Sequence, residues 1–368
     1  MRAVRALRRN LGQAAEARAA RRSAVGWRDH SRLLVVGDGA DWSLDRDAEH
    51  LVATAGRLGL PTAPGAWAAH LERQSVFLTS HFAAVAPCWL QSSHRLATSW
   101  FHGLPDTAGY PEFDATFAVL RAQPSRFQRI QVTHPAMRAA VLEAGVAADR
   151  VHLIPIGIDL AVFPQATTEL RAASRERFGI PPDVFLVGSF QKDGDGWQEG
   201  LSPKLVKGPD VLVAALTAAA AELESLWVLL TGPARGYVKA GLTKAEVPFT
   251  HVHLPGEADL AAGYHALDAY LIPSRQEGGP KGVLEALACG VPLVSTRVGQ
   301  ATEIVHDGAN GLLVDVEDAG GLAAGITRIA GDRALADRLA ASGRITAETF
   351  DHPLLDPLWR AFFEGFIE

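Results

Sequence analysis

Pro273-Ser274-Arg275-Gln276-Glu277-Gly278-Gly279-Pro280-Lys281-Gly282-Val283-Leu284-Glu285-Ala286-Leu287-Ala288-Cys289-Gly290 follows directly on the apolar run Ala269-Tyr270-Leu271-Ile272. The run reads as a strand buried on both faces, the glycine pair as a tight turn, and Pro280 as a residue suited to the first turn of the helix that follows. Such a passage exposes backbone N–H groups at a helix N-terminus, where an anion is favoured. Lys281 adds a full positive charge there. In a doubly wound sheet the ligand crevice lies beyond the carboxyl ends of the strands. Glu277 stands before the helix and Glu285 inside it, with seven residues between them, so both can face one crevice. A carboxylate accepts through two oxygens and can hold vicinal hydroxyls. Spacing alone equally allows Glu285 to be a surface helix residue and Glu277 a loop charge.

Outward from this stretch, short apolar runs alternate with helix-like segments. Leu33 to Val36 reads as a buried strand closing on Gly37, followed by a helix from Asp45 to Leu58, a helix near Ala66 to Thr79, an apolar segment from Arg95 to His102, a helix near Phe113 to Ala122, a strand at Ile130 to Thr133, a helix from Pro135 to Ala144 and a strand at Val151 to Ile154. A linker-like stretch spans Asp159 to Thr168, and the pattern restarts with strands at Val184 to Val187, Trp227 to Leu230, His251 to Leu254, Ala269 to Ile272, Leu293 to Ser295 and Gly311 to Val314. Lys207 to Leu223 reads as a long helix between the first two of these. Alternating strands and helices imply an α/β fold with parallel, doubly wound sheets. The segment Leu354 to Ile367 carries Trp359, Phe362, Phe363 and Phe366 on one helical face and must be buried.

The 368 residues suit two domains, and 48% hydrophobic with 21% charged residues is the balance of a packed enzyme. Cys88 and Cys289 form neither a disulfide framework nor a zinc-ligand spacing, which points to a reducing cytoplasm. A net charge of -6 argues against nucleic-acid binding. The basic N-terminal segment 1–30, with Arg2, Arg5, Arg8, Arg9, Arg18, Arg21 and Arg22 among Val4, Leu7 and Leu11, reads either as a frayed tail or packed helix, or as an amphipathic helix in peripheral contact with an anionic membrane at the inner face. It lacks the apolar region of a secretion signal, and the run Val211 to Ala221 is too short to span a bilayer.

The quoted stretch resembles the signature of glycosyltransferase family 4. Lys207-Gly208-Pro209-Asp210, Leu229-Leu230-Thr231-Gly232, Tyr264-His265-Ala266-Leu267-Asp268, Gly299-Gln300-Ala301-Thr302-Glu303-Ile304-Val305, Asp307-Gly308-Ala309-Asn310-Gly311 and Ile154-Pro155-Ile156-Gly157-Ile158-Asp159 resemble that family's flanking motifs in their order. The likeness covers Val151 to Val316 strongly and the N-terminal half weakly. It implies a GT-B protein: two Rossmann-like doubly wound domains with a cleft between them and a C-terminal helix crossing back to the first. The expected limits are 31–164 for an acceptor domain, 165–350 for a nucleotide-sugar domain and 351–368 for the crossover helix.

The resemblance further implies a retaining, metal-independent transfer of a hexose-type sugar from a nucleotide diphosphate sugar to an acceptor hydroxyl. A UDP- or GDP-sugar is the co-substrate and no further cofactor is expected. The acceptor is a glycan, a lipid-linked intermediate or a small molecule. Lys207 matches the residue that neutralises the diphosphate, Glu285 the one that holds the ribose, and Glu277 the one that contacts the transferred sugar. Gly278, Gly279, Pro280 and Lys281 supply the turn and helix terminus, and Leu254 lies where the base is held by main-chain contacts. Many members place an arginine after the glycine that ends the first strand of this half. Here Gly188 is followed by Ser189, which leaves Lys192 or Lys204 to supply the charge.

In the first half, Gly37-Asp38-Gly39 is a turn that lets the acceptor approach closely, and Gly37 and Gly39 are counted with the donor site. The turn lacks the third glycine of a dinucleotide fingerprint. Trp42 beside it could stack on a sugar or belong to the core. His102, before Gly103, resembles the family's active-site histidine, and His134 competes with it. Asp45-Arg46-Asp47 and Asp193-Gly194-Asp195 read as solvated turns and not as metal sites. Two other readings stay open: a nucleotide-sugar epimerase or other enzyme on the same scaffold, and a non-catalytic sugar-nucleotide binding protein.

Overall fold

The computed structural model describes residues 19, 30–39, 43–196, 198–254 and 256–368. The arginines named in the basic N-terminal segment and Trp42 lie outside the described residues. The chain forms two compact units, one of Met1–Ile154 with Pro353–Glu368 and one of Pro155–His352.

The first unit is built on a parallel sheet of β1 (Leu33–Val36), β2 (Thr62–Pro64), β3 (Ser75–Leu78), β4 (Arg95–Ser99), β5 (Phe127–Val132) and β6 (Val151–Leu153), in the order β2-β1-β3-β4-β5-β6. Helices α1 (Ser43–Arg57), α2 (Pro111–Ala122) and α3 (Pro135–Glu143) alternate with the strands. Both α2 and α3 open on a proline, whose missing N–H costs nothing in a first helical turn. Central β3 is buried at every position.

The sequence reading of one helix over Ala66 to Thr79 is corrected here. A short 3-10 turn, Gly65–Ala69, precedes β3, and Arg73 between them takes a left-handed φ of 52°. Val76, Phe77 and Leu78 favour a pleated surface buried on both sides, and the sheet's centre supplies one.

The aromatic C-terminal helix Asp356–Phe363 belongs to this unit. Trp359, Phe362, Phe363 and Phe366 pack on Leu33, Val35, Phe77 and Ala97, with the Phe77 and Phe362 rings 5.7 Å apart. Arg57 pairs with Asp356 at 2.7 Å, and Ser75 Oγ donates to the Phe366 carbonyl at 2.8 Å, which fixes the helix on one sheet face.

The second unit carries β7 (Phe185–Ser189), β8 (Leu226–Thr231), β9 (Phe249–Val252), β10 (Ala269–Ile272), β11 (Leu293–Thr296) and β12 (Leu312–Val314), all parallel, in the order β12-β11-β10-β7-β8-β9. This is the strand order of a dinucleotide-binding doubly wound sheet, whose switch point falls between β7 and β10. Around it run α4 (Thr168–Phe178), α5 (Pro209–Glu222), α6 (Gly236–Lys244), α7 (Glu257–His265), α8 (Lys281–Ala288), α9 (Ala319–Gly331) and α10 (Arg333–Glu348). The sequence reading has no helix at α4; Thr167 caps its start by accepting from Leu170 N, and Gly179, at a φ of 65°, ends it. Residues 155–164 fold with this unit, since Ile158 bridges Asp351 and Phe163 lies in its core. The expected helix from Lys207 to Leu223 is instead a 3-10 turn, Leu205–Lys207, then Gly208 and α5.

Among the described residues no helix is long and apolar enough to cross a membrane, and no cluster of three or more His, Cys, Asp or Glu could hold a metal ion.

Candidate functional site

The site residues of the second unit other than Leu254 end or follow β7 and β10 in the chain, the strands on either side of the switch point. Gly208 brings the two stretches together. Its φ of 64° ends the 3-10 turn, and a Cβ there would overlap the Pro273 carbonyl, so only glycine lets the two segments close up. The N–H groups of Arg275 and Gln276 both donate to the Val206 carbonyl, at 2.9 and 3.2 Å. The Arg275 guanidinium then reaches both oxygens of Asp210 at 2.7 Å and Glu317 at 2.7 Å. These partners raise its pKa and make it a structural clamp across the start of α5.

The clamp sets Lys207 against Glu277. Lys207 Nζ donates to both carboxylate oxygens, at 2.6 and 2.7 Å. Ser274 Oγ lies 2.9 Å from Glu277 Oε1 and 3.2 Å from Gln191 Oε1, and Gln191 Nε2 donates to the Lys207 carbonyl at 2.6 Å. Glu277 is therefore a buried carboxylate with its charge compensated, 8% exposed. Glu285, also 8% exposed, accepts from the Tyr264 hydroxyl at 2.8 Å. Burial, and then the Glu285 charge, push the Tyr264 pKa well up, so this phenol stays a donor. Pro280 is the N-cap of α8, and Lys281 its first residue.

Gly278 and Gly279 pack under a feature absent from the sequence-level site. Gly299, at a φ of 48°, lies where a Cβ would overlap the carbonyls of Glu277 and Gly278, and the Gln300 N–H donates to the Gly278 carbonyl at 2.9 Å. The Gln300 side chain accepts from Ile156 N at 2.8 Å and donates to Ile156 O at 3.0 Å. Gln300 is a buried polar residue that braces the glycine turn; its place in the quoted Gly299-Gln300 motif was the available signal.

Ser189 closes β7 fully buried, its carbonyl and hydroxyl held by Arg235 at 2.6 and 3.2 Å. Lys192 and Lys204 flank the loop between β7 and the Lys207 turn. Burial lowers the Lys204 pKa first, and the charges of Lys207 and Lys192 lower it further. Asp193 corrects the expectation of a solvated turn: it is completely buried, 3.1 Å from Arg235. The loop folds back on itself, so the backbone carries this carboxylate inward, while Asp195 is exposed. Leu254 follows β9, half-buried, beside Gly263 and Phe190.

In the first unit Gly37 and Gly39 end β1. Asp45 Oδ1 accepts from the Gly39 N–H at 2.9 Å, and a Cβ on Gly37 would overlap this carboxylate. Asp45 closes the glycine turn from α1. His102 follows β4, its ring 4.4 Å from Phe101, and Gly103, at a φ of 76°, sits against the Phe113 ring. His81, which sequence reasoning missed, is fully buried, stacks on Trp100 at 4.5 Å and lies 6.3 Å from His102. His134 is the N-cap of α3 and accepts through Nδ1 from Met137 N at 3.4 Å, which needs a neutral ring.

Burial lowers the His134 pKa from 6.5 to about 4. Between those values the unfolded chain binds a proton that the folded one refuses, so stability falls as pH drops through this window. His134→Asn keeps a capping side chain without the titration. Denaturant titrations at pH 7 and pH 4.5 should show the wild type losing about 2 kcal/mol more than the variant, and equal losses would refute the assignment.

Residues 200–332 match the family model described as Glycosyl transferases group 1. The chain is 33% identical over 223 residues to the D-inositol 3-phosphate glycosyltransferase of Xylanimonas cellulosilytica, covering 56% of this chain and 49% of that protein. The enzyme of the same name from Thermomonospora curvata is 31% identical over 224 residues, with 56% and 49% covered. The chain thus spans about half the length of these curated relatives. Among solved structures, Anabaena HepE in complex with UDP and glucose superposes with a TM-score of 0.70 at 17% identity, over 91% of this chain and 99% of that one. Sucrose-phosphate synthase from Thermosynechococcus elongatus gives 0.65 at 22% identity, over 88% and 78%. Two doubly wound parallel sheets in one chain, with these neighbours, make the fold GT-B.

Proposed function

We propose that the protein is a glycosyltransferase that moves a hexose-type sugar from a nucleoside diphosphate sugar to an acceptor hydroxyl with retention at the anomeric carbon. The observation that carries this reading is the Lys207–Glu277 pair at the switch point of the second sheet, inside the segment that matches group 1 glycosyltransferases. A cation and a carboxylate held together there suit a substrate whose diphosphate adjoins a hydroxyl-rich ring. On this reading Lys207, Lys281 and the α8 terminus take the diphosphate, Glu277 and the N–H groups of Gly278 and Gly279 take the sugar, and Glu285 takes the ribose. Leu254 borders the base.

The bond from the anomeric carbon to the phosphate oxygen breaks as the acceptor oxygen bonds to the same face, and the acceptor proton passes to the departing phosphate oxygen. No protein nucleophile is needed. Catalysis then rests on positioning and on stabilising charge at the leaving group.

UDP-glucose is the first donor to test, since HepE is solved with UDP and glucose, and D-inositol 3-phosphate heads the acceptor panel because the curated relatives carry its name. A panel of UDP-, GDP- and ADP-sugars with inositol phosphates, sugar phosphates and lipid-linked acceptors, read by release of nucleoside diphosphate and by the anomeric coupling of the product, tests the proposal. Sugar epimerisation without acceptor, or no turnover of any donor, would overturn it.

A further inference from the structure

The buried ion pair of the second unit has no part in the chemistry above. Arg235 and Asp193 are both fully buried, 3.1 Å apart. Arg235 also donates to the carbonyls of Ser189 at 2.6 Å and Thr231 at 3.0 Å, so it ties the ends of β7 and β8 to the loop that leaves β7. Paired in this way, its charge is cancelled inside the unit and offers nothing to a ligand beyond Ser189.

That loop is a folded arm. Asp195 N donates to Ser202 O at 2.9 Å, Lys204 N to Asp193 O at 2.8 Å, and Gly194 bridges Pro203 in antiparallel fashion. The far end of the arm caps α6, where Gly236 N donates to Glu199 O at 2.6 Å and Tyr237 N to Gly200 O at 2.9 Å. Gly194 and Gly200 both press on the Ala234 carbonyl, where a Cβ on either would overlap it. The arm is therefore clamped at Gly194, Glu199 and Gly200 onto the turn after β8, and Arg235–Asp193 is its inner bolt.

The arm ends on Lys204, which opens the turn carrying Lys207: Lys207 N donates to Lys204 O at 2.8 Å. Lys204 makes no ion pair among the described residues, while the neighbouring Lys207 is already engaged with Glu277. We propose that the arm 193–204 replaces the absent arginine after Gly188, with Lys204 as a second cation for a nucleoside diphosphate and Arg235 and Asp193 as positioning residues that hold it in place. The inference rests on the reading of the second unit as a nucleoside-diphosphate-sugar site.

The test is calorimetric titration of the full chain with UDP, UMP and uridine. Lys204→Ala should weaken UDP about tenfold, the loss of one charge-assisted contact, and UMP far less, while Lys204→Arg should bind as wild type. Arg235→Lys and Asp193→Asn should reproduce the UDP loss, and combining either with Lys204→Ala should add little. Burial, then the like charges of Lys207 and Lys192, lower the pKa of this ammonium against the opposing pull of Glu277 and Asp195, so as pH rises wild-type affinity should begin to fall at a lower pH than that of Lys204→Arg. Equal UDP binding by wild type and Lys204→Ala overturns the proposal, whether or not the Arg235 variant folds. Failure of wild type to bind UDP, GDP or ADP overturns the donor-site reading itself.

Discussion

Lys207→Ala should lower kcat/KM about a thousandfold, close to 4 kcal/mol of transition-state stabilisation, with most of the loss in kcat. The cation matters little to a diphosphate ester at rest and greatly once the leaving group carries a full extra charge. A second effect separates this variant from a mere loss of affinity. Glu277 would keep its burial and its Ser274 contact but lose the ammonium that donates to both of its oxygens. A buried carboxylate without a counter-ion costs several kcal/mol; with Lys207 a quarter exposed, water relieves part of this, leaving about 1 to 2 kcal/mol of lost stability. Steady-state kinetics with a saturating donor and a thermal melt measure the two effects. An unchanged kcat would refute the leaving-group role, and an unchanged melt would show that Glu277 finds another partner.

Glu285→Ala should act on binding, raising the donor KM about a hundredfold, near 2.7 kcal/mol, with a smaller change in kcat. Two hydroxyl-to-carboxylate hydrogen bonds are worth about that much in a buried setting. Tyr264 sets the geometry, since its hydroxyl donates to Glu285 Oε2 at 2.8 Å. Tyr264→Phe should give a weaker copy of the same phenotype, about 1 kcal/mol in KM. A Glu285→Ala enzyme whose KM stays at the wild-type value while kcat collapses would move this residue from donor grip to chemistry.

Much of this was legible in the sequence where a single local rule governs. Leu33–Val36 and Ala269–Ile272 are strands at the positions read from their apolar runs, because a strand buried on both faces leaves an uninterrupted hydrophobic signal. The pairing of Glu277 with Lys207 was not legible. It depends on Gly208 lying against Pro273, residues far apart in sequence, and no periodicity encodes that contact. The Ala66 to Thr79 stretch misled for a related reason: Trp67, Leu71 and Leu78 fall on one face at helical spacing, and only the place of Ser75–Leu78 between β1 and β4 makes a strand the better solution. Asp193 shows the limit of composition. A Gly-rich acidic run reads as a wet turn until a distant arginine, Arg235, draws its first carboxylate inside.

The aromatic helix that seals the first sheet is encoded after the whole second unit. At about 5 to 20 residues per second, a ribosome needs roughly 10 to 40 s to make 155–352, and throughout that time Leu33, Val35, Phe77 and Ala97 lack their aromatic cover. The nascent chain therefore carries this sheet face covered only in part, by Leu51 and Ala55 of α1, through most of its synthesis, and its first half can finish folding only after its second half has been translated.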